Sequence, residues 1–576
     1  MLLYNYLSKL LRSEVDLVKN FIYKTGDFID NNKVKFKKFF KLSIFIFMIM
    51  VFIIQINDMS CDKSFHMLRL NELASEIKLN GLLNYPYYIN FSAFNNFGYA
   101  TELFYGDIFL IPFALLINLG LSVNIVYSFL IAISFLMIFI SMYYAYKYYY
   151  KDKDNAFNIS YLYTFSNYII FELTERNALG TNFSYIFIPW AIFSFLNIIN
   201  NKEKKYDYII FGLAVNFLFL SHVQTCVVVI LGLIIYCIFN IKNLIKYPKI
   251  ILTFIKSILI FFLSNAFFIF PMIEQMAFQK LYISTNFTYK LSDRILFFLN
   301  LFVPNHFWRR LIPLEILLAP SKRLDRIFRY SISPSCFIPF LFMIIFNLLT
   351  YKKLKKDDKN KPLIRFSNIT VLFCILASFT GLISYISLFN FLQFPWRVLT
   401  LAAIFMPIGF ILSNKENKKI IYFACILTFI NAFCYLIILG LWNANYYNEI
   451  TIGNGEYLPT EVPSSTYAYD YKNDSYTKEI IKNGYSIVIN NNTSDNNLEL
   501  PIVYYKGYNA YINNEKADIK KSKKGLIEIN NSQNADKVIV KYDGTIIQKV
   551  TKYISLSFYI GLIGYIIYDR KKHNSK

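Results

Sequence analysis

"KLSIFIFMIMVFIIQI", Lys41 to Ile56, runs fifteen residues without a charge after its opening lysine. A run of this kind calls for an apolar solvent, and the basic "NNKVKFKKFFK" before it, residues 31–41, marks the cytoplasmic face. About forty polar and basic residues precede the run and no small-residue cleavage pattern accompanies it, so it is expected to stay as helix one and not to leave as a signal peptide. The N-terminus is then cytoplasmic, and the chain emerges on the outer side at "CDKSFHMLRLNELASEIKLNGLLNYP", residues 61–86.

Composition generalises that reading. Of 576 residues, 56% are hydrophobic and only 17% charged, and mean hydropathy is +0.38. These values describe a polytopic helical membrane protein and exclude a water-soluble domain. A formal charge of +23 would suit nucleic acid, but the lysines collect in short loops between apolar runs: "NKEKK", "IKNLIKYPK", "YKKLKKDDKNK" and "NKENKK". They read as cytoplasmic anchors, so the expected partners are membrane lipids and not nucleic acid. The seven cysteines form no CxxC pair, and Cys226, Cys237, Cys374, Cys425 and Cys434 lie inside apolar runs, so neither a disulfide framework nor a zinc site is signalled.

Further apolar segments cover residues 157–171, 183–199, 208–220, 223–239, 250–273, 336–349, 369–388, 398–412 and 420–441. Residues 108–146 could hold two short spans, yet a cytoplasmic "KYYYKDKDN" requires an odd number of crossings, which predicts a partial or re-entrant helix over 108–119. The expected total is about 12–13 transmembrane helices. With every basic loop inside, "TERNALGTN", "SHVQT", the loop 274–334 and "FNFLQFPW" all face outward beside residues 61–86. After residue 441 the chain turns polar for roughly a hundred residues, where "YSIVIN", "ELPIVYYKGYNAYIN", "KGLIEIN" and "ADKVIVKYDG" alternate apolar and polar residues between turn residues. The expected organisation is a cytoplasmic segment 1–39, a transmembrane domain 40–441 with its first outer loop at 57–107, an extracytoplasmic β domain 442–550, and a final helix with a basic cytoplasmic tail, 551–576.

On a helix, His66 lies about 40° and Arg69 about 20° from Asp62 around the axis, so the three share one face, which Leu70, Leu73 and Ile77 continue. Asp58 lies one turn earlier. Ionisable groups leading into a packed stripe at a membrane surface are expensive unless paired or used. The plain alternative is an interfacial helix with an Asp–Arg pair.

The stretch 62–86, "FGYATELFYGDIFLIPFALLINLGLS" (97–122), "RNALG" (176–180), "LSHVQT" (220–225), "FLQFPWRVL" (391–399) and "GEYLP" (455–459), taken in order, resemble the YfhO-like bacterial membrane proteins, a family also labelled pyruvoyl-tetrahydropterin-synthase-related. The resemblance runs over nearly the whole chain, through "LPIVYYKGY" to the last span. It implies a GT-C-like glycosyltransferase fold and activity, with a polyprenyl-phosphate-linked sugar as donor, a cell-surface glycan or glycolipid as acceptor, and Asp62 as the catalytic acid residue of the first outer loop. In an inverting transfer Asp62 would be the general base, kept ionised near a helix N-terminus. Arg69, Arg176 and Arg397 are candidates for the donor phosphate, since guanidinium forks suit it. His66 either orients Asp62, donates to phosphate, or is an ordinary interfacial histidine.

Glu102, Tyr105 and Asp107 of "ELFYGD" are acceptor-side candidates, with a divalent ion not excluded and a helix cap the alternative role for Asp107. His222 is read as a substrate contact or a helix cap, Trp396 as a sugar platform or an interfacial anchor, and Glu456 as a cleft residue or part of a packed turn. No histidine cluster with metal-ligand spacing occurs, so no metal or cofactor is expected. Two other classes compete: a lipid-linked saccharide transporter or flippase, which would place charges mid-span in symmetric halves, and a non-catalytic envelope scaffold built on the β domain.

Overall fold

In the computed structural model of the chain the described residues are 20–21, 23–25, 27–28, 31–57, 62–285, 337–354, 359–380, 382–386, 389, 392–442, 452, 455–471, 476–489, 497–530 and 536–574. Asp58, most of the expected outer loop 274–334 and much of the N-terminal segment lie outside them.

The run at 41–56 forms the body of α1 (Lys33–Asn57), and α2 (Lys63–Asn80) starts after Asp62. Next come a short α3 (Ile111–Asn118), α4 (Val123–Tyr150), α5 (Lys153–Thr164), α6 (Asn167–Thr174) and α7 (Leu179–Ile199). The chain continues through α8 (Asp207–Ser221), α9 (Val223–Phe239), α10 (Lys249–Ser264) and α11 (Ala266–Phe278). After the undescribed segment, α12 (Phe337–Lys353), α13 (Lys361–Thr380), α14 (Leu399–Ser413) and α15 (Lys418–Trp442) complete the bundle, and α16 (Ile546–Asn574) ends the chain.

Among the described residues, seven helices are long and apolar enough to cross a membrane, and an eighth arises if α10 and α11, bent by 73° at their junction, count as one span. The other apolar segments, over residues 108–118 and over α8, α9 and α12, are helical stretches of 10–17 residues. Among the described residues the long spans are therefore fewer than the expected total of about 12–13, because several apolar runs there form shorter helices. The run 157–171 is divided at Phe165 and Ser166 between α5 and α6. Residues 108–118 form a 3-10 turn followed by the short α3, ahead of the single long α4. α14 is buried along its whole length and forms the centre of the bundle.

Basic loops meet at one end of the bundle. Lys37 bonds Asp154 at 2.8 Å, Lys249 bonds Glu203 at 3.0 Å, Lys415 stands 4.0 Å from Asp152, and Lys205 pairs with Asp569 of α16. Asp62 lies beyond the far end of α1, whose 25 residues span about 37 Å at the helical rise.

Eight strands follow the bundle: β1 (Tyr476–Ile481), β2 (Gly484–Ile489), β3 (Asn497–Val503), β4 (Tyr508–Ile512), β5 (Glu515–Ala517), β6 (Ile519–Lys521), β7 (Leu526–Asn530) and β8 (Lys537–Tyr542). They build antiparallel sheets ordered β1-β2-β8-β4-β5 and β3-β7-β6. Period-two burial along β8, and over residues 497–500 of β3, matches the alternation in the sequence, while the last four residues of β3 are all buried. The core of this domain also takes in the loop after α2. Ile89, Phe91, Phe94, Phe97, Tyr99 and Leu103 join one buried cluster with strand residues such as Tyr485, Ile502 and Val540. Backbone bonds confirm the merger, as Val503 N–H donates to the Phe97 carbonyl at 2.8 Å and the Tyr485 hydroxyl to that of Phe91 at 2.7 Å. The protein is thus a polytopic helical membrane protein with a small β domain before its last helix.

Candidate active site

The first helical junction and four later segments converge beyond the end of α1. Asp62 occupies the N-cap position of α2 but its carboxylate caps no amide. Its N–H instead donates to the Arg176 carbonyl at 3.3 Å, which pins "RNALG" beside it, and Oδ2 stands 4.0 Å from Nε of Arg176. Its side chain keeps 46% of its surface open. The protein walls around this opening push the carboxyl up from its usual range, and the guanidiniums of Arg176 and Arg397 oppose the rise. The sequence reading expects a helix N-terminus to keep this carboxylate ionised; here burial acts against the ionised form and the two guanidiniums act for it.

Arg176 is fixed on every side. Its Nη1 donates to both carboxylate oxygens of the fully buried Glu172, at 3.1 and 2.8 Å, and its guanidinium lies 5.0 Å from the Trp396 ring centre and 5.8 Å from that of Phe394. Trp396 is itself buried, with Arg176 against it and Phe171 at 5.5 Å, so it supports an arginine and presents no open platform in this state. Arg397 differs. It is buried and lines a small cavity with Glu172, Arg176, Thr181 and Thr225, and its Nε and Nη1 have no hydrogen-bond partner. Buried donors of this kind are costly unless an acceptor meets them.

Arg69 and His66 are buried on α2, with Arg69 Nη1 and His66 Nδ1 3.4 Å apart. Arg69 turns away from Asp62, donates through Nη2 to the Tyr105 and Gly106 carbonyls at 3.0 and 3.1 Å, and lies 4.1 Å from the Tyr105 ring centre. It clamps the end of the first loop. Burial and the charges of Arg69 and Arg176 hold the His66 pKa well below its ordinary value, so the ring is neutral. Tyr105 packs between His66 and His222, with ring centres 5.8 and 6.0 Å away. Two glycines admit this closeness: a Cβ on Gly106 would meet the Leu220 carbonyl oxygen at 2.5 Å, and one on Gly180 would overlap the Tyr105 hydroxyl and the Ser221 carbonyl. His222 caps α9, its Nδ1 accepting from Thr225 N–H at 3.3 Å.

Asp107, Glu102, Glu72 and Glu76 form a second layer. Asp107 accepts from the Tyr85 hydroxyl at 2.8 Å and Glu102 from the Asn90 amide at 3.4 Å, and the same amide donates to Glu72 at 2.7 Å. Glu76 accepts from Phe91 N–H at 3.1 Å and from Asn80 at 2.6 Å. All four acids are buried, and the charge of Arg69 acts on Glu72, Glu102 and Asp107. Glu456 joins from the entrance to the β domain; burial raises its carboxyl, the charge of Asp62 adds to this, and Arg397 opposes it. Among the described residues no group of three or more His, Cys, Asp or Glu is placed to hold a metal ion.

Sequence reasoning missed Glu172, Glu72 and Glu76. Glu172 was legible as an acid inside the apolar "NYIIFELT", and Arg69, Glu72 and Glu76 follow an i, i+3, i+7 pattern on one face.

No family model matches this chain. No curated protein matches it either. Among solved structures it is similar to the arabinofuranosyltransferase AftD from mycobacteria, at 10% identity and a TM-score of 0.37, over 70% of this chain and 27% of that one. A mutant form of AftD gives 10% identity and a TM-score of 0.36, over 66% and 25%. This chain thus spans about a quarter of the length of AftD. The likeness is too slight to assign a family, and the resemblance to YfhO-like proteins rests on the sequence motifs.

Proposed function

We propose that this protein is a GT-C-type membrane glycosyltransferase that moves a sugar from a polyprenyl-phosphate donor to an extracytoplasmic glycan or glycolipid. In this reading both termini are cytoplasmic and the site around Asp62 opens on the outer side. The observation that carries it is the half-open carboxylate of Asp62 beside two guanidiniums, of which Arg397 has two buried nitrogens without an acceptor.

The chemistry follows from that pairing. Asp62 takes the proton of an acceptor hydroxyl as its oxygen attacks the anomeric carbon, and the bond from that carbon to the phosphate oxygen breaks with its electron pair going to the phosphate. Arg397, then Arg176, meets the charge that develops on the leaving group. Phe394, Trp396 and Glu172 keep Arg176 in place. Glu456, Glu102 and Asp107 are the acceptor-side groups, Tyr105 and His222 shape the wall between them, and His66 and Arg69 hold the loop that carries Tyr105.

The test is transfer of labelled sugar from a polyprenyl-phosphate donor by purified full-length protein. Asp62→Asn should lower the rate by about 10²–10⁴-fold, the range for loss of a positioned base, while the variant stays monodisperse with an unchanged thermal midpoint. Transfer by this variant at the wild-type rate would remove Asp62 from the mechanism.

A further inference from the structure

The end of the bundle away from Asp62 carries a second built cavity. It has a volume of about 180 Å³ and lies between the N-terminal third of α1, the first turns of α5, Tyr143 in the last third of α4 and Tyr422 of α15. Three lysines, Lys37, Lys41 and Lys153, line it against one acid, Asp154, and its apolar side is made by Phe36, Phe40 and Phe157. Lys37 is engaged with Asp154 at 2.8 Å. Lys41 and Lys153 are exposed and take part in no ion pair among the described residues. A further ammonium, that of Lys147, lies 5.6 Å from the ring of Tyr143, another lining residue. The N-terminus of α5 adds little, because Asp152 already accepts from Asn155 N–H at 3.1 Å and places its own negative charge there. The attraction for an anion therefore comes from the lysines.

The surface below the cavity identifies the rest of the ligand. Lys41, Phe45, Ile49 and Ile53 follow one another at i, i+4 spacing, so they form a single row along α1, cationic at the cavity and apolar beneath it. Phe45, Ile49 and Ile53 are each about half exposed among the described residues. A phosphate with hydrocarbon chains attached matches such a row and a free phosphate does not. We propose that this cavity seats the headgroup phosphate of an anionic glycerophospholipid, held by Lys41 and Lys153, with its acyl chains along the exposed row of α1. From Lys41 to the end of α1 at Asn57 the helix rises about 24 Å, so this lipid is separate from any substrate at Asp62.

Native mass spectrometry of the full-length protein in detergent, titrated with dioctanoyl phosphatidylglycerol, counts the bound lipid. The wild type should retain it in preference to dioctanoyl phosphatidylcholine. K41Q/K153Q should weaken retention roughly tenfold, K41R/K153R should keep it, and K242Q/K246Q, which removes two charges from the 241–246 helix, should leave it unchanged. Equal retention by K41Q/K153Q and wild type would overturn the site. Displacement of the lipid by equimolar inorganic phosphate would overturn the lipid assignment, because the chains would then contribute nothing.

Discussion

The Nε of Arg176 stands 4.0 Å from Oδ2 of Asp62 while its Nη1 is held by Glu172. One guanidinium thus bridges a closed carboxylate, which neutralises it, and one whose side chain is half open. Removing Glu172 should strand a buried cation. Glu172→Ala is expected to destabilise the protein by about 3–5 kcal/mol, the usual effect of breaking a buried pair, seen as a lower midpoint in detergent thermal unfolding. A midpoint equal to wild type would mean that Arg176 has a second anchor of equal strength.

Arg397 should show the opposite balance between stability and activity. Its buried Nε and Nη1 have no acceptor, so Arg397→Met is expected to stabilise the fold by about 1–3 kcal/mol while sharply weakening use of a phosphate-linked donor. Thermal unfolding and the donor KM measured on the same preparation check both halves. A destabilised variant with an unchanged KM would give Arg397 a structural role only.

Gly180 is the narrowest point in the site. Gly180→Ala would drive a methyl group into the Tyr105 hydroxyl and the Ser221 carbonyl, and should cost about 1–3 kcal/mol, the range for overpacking. Because the backbone carbonyl cannot yield, Tyr105 should move. The G180A/Y105F double variant, lacking that hydroxyl, should recover part of the loss, and recovery of none would place the clash on Ser221 alone.

Two buried acids set a pH dependence. Burial pushes Asp107 up to about 6 and Glu76 up to about 7, from ordinary values of 3.8 and 4.5. Both then hold a proton more tightly folded than unfolded, so their contribution is full below pH 4 and is lost as pH rises through 6 to 7. The loss is on the order of 3 kcal/mol for each group. His66, held below its ordinary value, acts in the opposite sense below about pH 6.5, so the check is a difference: relative to Asp107→Asn, which keeps an acceptor for Tyr85, the wild-type thermal midpoint in detergent should fall between pH 5 and pH 8. A difference independent of pH over this interval would contradict it.

Much of the architecture was legible because apolar length and strand alternation are local properties. The run at 41–56 became α1, and "YSIVIN", "KGLIEIN" and "ADKVIVKYDG" became β2, β7 and β8. The break at Ser166 was passed over although Thr164, Ser166 and Asn167 interrupt "YLYTFSNYII" and a serine is a common residue at the N-cap position that Ser166 takes on α6. In the site, helical spacing put Asp62, His66 and Arg69 on one face, and His66 and Arg69 do meet. The partner of Asp62 did not follow from spacing, because Arg176 lies more than a hundred residues away and only the tertiary fold brings it in. Trp396 illustrates the same gap: the sequence supplies an aromatic beside an arginine, while burial decides that the ring serves another arginine.

The merger of residues 89–104 with the β domain has a mechanical consequence. A module hung on a flexible stalk can swing, be trimmed or be exchanged for another. Here the loop that leaves α2 and the sheets that precede α16 share one set of buried rings, and Asn483 N–H is held by Asn80 at the last turn of α2. Pulling the sheets away would expose Phe91, Phe97 and Tyr99 to water, so any displacement of the sheets must carry the loop with it.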